Sequence, residues 1–169
     1  MSYFRIKYGF AILASILFLS CGSSESTADK QENYQRLTSI VKTGEFQIDN
    51  QFLFPMQGGQ IDLTTNPAYM KFYGDSVSIH LPYFGTRTSG NLTTNKGGIV
   101  YEGLVSDLQV QELDNKQQLE ISFECTARNE HLSFDIIIYS SGKATTDVKL
   151  SNRLGVSYQG VLSKLKNEK

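Results

Sequence analysis

From residue 45 onward, apolar and polar side chains alternate with a period of two, in short runs that stop at glycine, proline or asparagine. Phe46, Ile48, Phe52 and Phe54 open the series, and Pro55 with Gly58-Gly59 ends it. Ile61 and Leu63 begin a short run that stops at Asn66-Pro67. Residues 68–73 and 77–81 flank Gly74-Asp75, a tight hairpin signal. A polar, glycine-rich stretch over 86–98 then leads into a long strand over 99–110. The apolar phase of that strand changes near Gly103: Ile99 and Tyr101 lie on one phase, and Leu104, Leu108 and Val110 on the other. A bulge or bend accounts for the change. Residues 119–125 and 132–139 flank Asn129-Glu130, and 144–150 with 156–162 make the last pair.

Before residue 45 the period is helical. Asp29 is a plausible N-cap with Glu32 as its capping-box partner. Tyr34, Leu37, Ile40 and Val41 share one face, and Gly44 ends the run. The narrow stripe predicts a helix packed on a sheet or across a barrel end. About nine short strands after one helix, with no βαβ alternation, predict a mainly β fold. It is either an antiparallel β-sandwich or a partly closed β-barrel with one N-terminal α-helix.

The first 28 residues break both patterns. Arg5 and Lys7 precede a ten-residue apolar run over 10–19, too short to span a bilayer, then Ser20 and Cys21. This reads as a lipoprotein signal peptide (residues 1–20) cleaved before a lipid-modified Cys21. Phe18 stands where such signals usually carry Leu. The expected division is a flexible tether over 21–28, one β-rich domain over 29–163 and a charged tail over 164–169. The expected location is the bacterial cell envelope, with the membrane as partner through the lipid on Cys21. Removing two basic residues with the leader leaves 14 basic against 17 acidic, or −3. That balance argues against a nucleic-acid partner. With Cys21 acylated, Cys125 has no disulfide partner, and its place in the apolar phase of 119–125 marks it as a small core hydrophobe.

Leu81-Pro82-Tyr83-Phe84-Gly85 and several spaced segments carry a resemblance. The strand from Phe46 to Pro55, Gly74-Asp75-Ser76-Val77 and Gly97-Gly98-Ile99 belong to it. So do Gly142-Lys143-Ala144, Ser151-Asn152-Arg153 and the run from Val156 to Gly160. Over roughly residues 35–163 the chain resembles the family called domain of unknown function 4251, small bacterial envelope proteins, many of them lipoproteins. The resemblance implies a mostly β fold and an envelope location. It implies no activity and no catalytic residue.

Candidate chemistry is sparse. Pro82 ends a strand, Gly85 allows a sharp turn, and Tyr83 and Phe84 between them either line a pocket mouth or pack inward as a corner. Arg87, Lys96 and Arg153 lie in loops, where charges ordinarily stay solvated; their other reading is contact with an anionic head group or carboxylated glycan. Asp75 and Asp114 fit turns. His80 and His131 are the only histidines, and no zinc spacing is present. No nucleophile elbow, phosphate loop or dinucleotide fingerprint is found. The sequence therefore reads as a non-catalytic binding module without a cofactor. Its expected ligand is an apolar small molecule or lipid held by Tyr83, Phe84, Tyr101, Arg153 and Tyr158. The alternative is a protein-interaction or scaffolding module with a filled core, marked by an exposed apolar patch.

Overall fold

The computed structural model describes residues 27–85 and 98–165. The expected signal peptide, Cys21, and the loop charges Arg87 and Lys96 lie outside those residues. Helix α1 (Thr27–Lys42) precedes ten strands: β1 (Glu45–Pro55), β2 (Ile61–Asp62), β3 (Tyr69–Tyr73), β4 (Ser76–Pro82), β5 (Gly98–Leu104), β6 (Ser106–Leu113), β7 (Gln118–Ala127), β8 (Glu130–Tyr139), β9 (Lys143–Leu150) and β10 (Val156–Lys164). The helix begins at Thr27, two residues before the expected cap at Asp29, and β10 runs on through Lys164.

All the described strands belong to one antiparallel sheet, ordered β5-β4-β3-β1-β10-β9-β8-β7-β6, with the two-residue β2 beside β1. The sheet curls nearly closed into a barrel, which resolves the choice between sandwich and barrel. Its two end strands, β5 and β6, follow one another in the chain, separated only by Val105. The single long strand expected over 99–110 is therefore two strands, broken where the bend was expected: Gly103 has φ +149°, which a side chain rarely tolerates, and Asp107 sits at φ 52°.

Alternation builds the interior. In β8, Leu132, Phe134, Ile136 and Ile138 are buried, and in β7 so are Leu119, Ile121, Phe123 and Cys125. Phe46 stacks on Phe72 (4.3 Å between centroids), Phe72 meets Phe123 edge-on (5.7 Å), and Phe123 stacks on Phe134 (4.6 Å). These rings fill the middle of the barrel with contacts that add to simple area burial. Burial pushes the Cys125 thiol up to about 12, so it is a core hydrophobe and a poor nucleophile.

One phase expectation fails. A register shift between Asn50 and Phe52 puts Leu53, and not Phe52 or Phe54, into the core. The cause is close backbone approach: a side chain at Gly160 on β10 would overlap the carbonyl of Asp49 and the Cα of Asn50. The bulge accommodates that contact and turns the next residue outward.

Helix α1 covers one end of the barrel with Tyr34, Leu37, Ile40 and Val41. The Tyr34 hydroxyl donates to Asp114 in the β6–β7 turn (2.8 Å), Gln117 of that turn bonds Gln31 (2.7 Å), and Leu37 packs near Gly142 of the β8–β9 turn. Burial, reinforced by the Asp114 carboxylate, raises the Tyr34 phenol to about 12.

Candidate corner and groove

Three of the five expected ligand-binding residues meet at the barrel end away from α1, where β4 leaves the sheet after Pro82. Tyr158, fully buried on β10, donates its hydroxyl to the Pro82 carbonyl (2.7 Å), which fixes where β4 stops. Tyr83 turns inward and donates to the Leu154 carbonyl (3.0 Å). The Arg153 guanidinium lies over the Tyr83 ring, 4.4 Å from its centroid. Glu130, at the start of β8, receives Arg153 through both carboxylate oxygens: Nε reaches them at 3.1 and 3.0 Å and Nη2 reaches one at 2.6 Å.

The Arg153–Glu130 pair is buried, so the reading of Arg153 as a solvated loop charge is corrected. Its bidentate partner is Glu130, which sits beside Asn129 at the turn between β7 and β8. The signal was present: Glu130 falls in phase with Leu132, Phe134, Ile136 and Ile138, and an inward carboxylate calls for a cation. Gly85 does not owe its place to a turn that only glycine can make. Its φ lies outside the left-handed region, and what excludes a side chain there is the Tyr83 hydroxyl, which folds back onto it. Desolvation drives the Tyr158 phenol well above its ordinary range, with Arg153 opposing part of the rise.

The other two residues lie elsewhere. Tyr101 stands opposite Ile79 on β5, and its hydroxyl bonds the Leu104 carbonyl at the strand's own bend. Phe84 follows Tyr83 but turns out and is 52% exposed. It rims an open groove of about 420 Å³, bordered also by Pro67, His80, Pro82, Val100 and Arg128. His80 faces out as its phase predicts and stacks on Tyr69 (5.7 Å). Val100, beside His80 in register, is 49% exposed, and Leu104 further along β5 is 72% exposed.

The His131 ring lies 3.3 Å from a Glu124 carboxylate oxygen at the surface, and no group of three metal-ligating side chains occurs among the described residues. No helix among them is long and apolar enough to cross a membrane. The Asp114 side chain, expected to bond its own turn, accepts from Tyr34 of α1, and the turn is closed by the Asp114 main-chain carbonyl.

A family profile described as "Domain of unknown function (DUF4251)" matches residues 28–162. A crystal structure of a DUF4251 family protein from Bacteroides eggerthii is similar in fold, with a TM-score of 0.62 at 15% identity. The match covers 82% of this chain and 92% of that one. No curated protein matches the sequence.

Proposed function

The chain belongs to the DUF4251 family, and from that premise we propose that it is a non-catalytic protein-interaction module of the bacterial envelope. It is held to the membrane by lipid on Cys21 after removal of residues 1–20. One observation carries the interaction reading: apolar side chains stay exposed along β5 and its approach, at Phe84, Val100 and Leu104, while packed rings fill the barrel middle. Among the described residues β5 ends the hydrogen-bonded order of the sheet, a place where a partner segment gains both apolar and main-chain contacts. The Tyr83–Arg153–Glu130–Tyr158 corner is bonded to itself and serves to hold that surface in shape.

A second reading follows from the groove volume. About 420 Å³ lies in the range of small-molecule sites, so an apolar molecule or lipid against Phe84 is the competing occupant. A photo-crosslinking residue at Val100 of the membrane-bound chain separates the two. The interaction reading expects a discrete protein adduct that Leu104→Asp abolishes, with none from a crosslinker at Lys149 on the polar outer face. No protein adduct, together with a small mass retained in native mass spectrometry and lost on denaturation, would overturn it in favour of the small ligand.

A further inference from the structure

We infer that the α1 end of the barrel rests against the lipid headgroups, so that the groove, with Phe84 and Val100 on its rim, faces away from the membrane. This rests on the acylation of Cys21 proposed above. Helix α1 starts at Thr27, six residues beyond Cys21. Six residues reach at most about 20 Å. The first turn of α1 is therefore confined to a thin layer above the bilayer, and whatever surrounds it shares that confinement.

The surroundings are fixed by contacts. Gln31, in the first helical turns, bonds Gln117 of the β6–β7 turn, and Tyr34 bonds Asp114 of the same turn. At the other end of α1, the Gly44 carbonyl accepts from Gly74 N–H in the β3–β4 turn (2.9 Å). The groove lies on the opposite side. β4 and β5 pair Ser76 with Leu104 near the helix end and Pro82 with Gly98 at the groove. Six strand residues separate those rows, about 20 Å along the strand. Met56, just beyond the far end of β1, is 69% exposed on that distal side.

The chemistry of the exposed α1 face suits a hydrated headgroup layer and not acyl chains. The apolar face of α1 is already used against the barrel. Its exposed residues are polar apart from Ala28, with Lys30 and Arg36 set against Asp29 and Glu32, and Lys42 paired to Glu112 (2.9 Å). This near-balance gives no strong attraction to anionic lipid, so the tether, and not charge, sets the orientation.

The test uses the full acylated chain in vesicles that carry a nitroxide on the lipid headgroup. Lys116→Cys and Met56→Cys each place one fluorescent label at an exposed site, near and far from α1. Cys125 stays silent because it is buried with a raised thiol pKa. The expected result is quenching several-fold stronger at 116 than at 56, unchanged by added salt. Equal quenching, or stronger quenching at 56, on a chain whose mass shows the acyl groups overturns the orientation and leaves the anchor standing. A mass without acyl groups overturns the anchor and the orientation with it.

Discussion

Tyr83 and Phe84 are adjacent in the chain and end in opposite surroundings. Tyr83 is 7% exposed, with its hydroxyl bonded to Leu154 and its face under Arg153, whereas Phe84 is 52% exposed on the groove rim. Ring size does not separate them. The corner accepts Tyr83 because it supplies a carbonyl for the hydroxyl and a cation for the face, and a phenyl ring could use only the second. The corner is thus closed by polar groups that satisfy one another, and the groove stays open because its apolar rim has no cover within the described residues.

The sharpest way to break this contrast is Arg153→Ala, which strands the Glu130 carboxylate in the corner. The expected loss of stability is about 3–5 kcal/mol, read as a fall in the urea midpoint. A loss below about 1 kcal/mol would mean that the corner is hydrated much like the groove. A pH series comes next. The Tyr158 phenol sits above its ordinary value of 10.0 in the folded state, so its contribution is intact below pH 10. Above that, the unfolded chain loses the proton first and stability falls by about 1.4 kcal/mol per pH unit from this group. Denaturation curves between about pH 9 and pH 11 should show the fall, and Tyr158→Phe should make it shallower, leaving the part that the raised Cys125 thiol and Tyr34 phenol contribute in the same direction.

Smaller effects sharpen the comparison. Tyr83→Phe keeps the ring under Arg153 and removes the hydroxyl that bonds Leu154, for an expected cost of about 1 kcal/mol in the same urea assay. Phe84→Ala, one residue on, should change stability by no more than about 0.5 kcal/mol, while reducing the crosslinking yield from Val100. A Phe84→Ala cost as large as that of Tyr83→Phe would place both rings in the same structural role.

Much of the fold is legible in the chain. Period-two runs mark the strands, the 3.6-residue stripe of Tyr34, Leu37, Ile40 and Val41 marks α1, and the phase change near Gly103 marks the bend between β5 and β6. What escapes local reading depends on distant partners. Phe52 looks like a core residue until Gly160, more than a hundred residues later, presses against Asn50 and shifts the register. Arg153 looks solvated until Glu130 is placed opposite it. Tyr101 looks like a partner for Tyr83 because both are aromatic, yet its hydroxyl serves its own strand's bend. Closure into a barrel depends on β1 meeting β10, a pairing that alternation within either strand does not encode.

That pairing sets the order in which the molecule can assemble. β6 through β9 are joined to their chain neighbours by short turns and can form as local hairpins while the polypeptide is still being delivered. β1 lies at the middle of the sheet, but its partner Lys164 is separated from Phe46 by nearly the whole folded chain. A chain emerging amino end first must therefore carry β1 with one edge unsatisfied until its last strand arrives, which makes closure a slow, late step exposed to edge-to-edge aggregation.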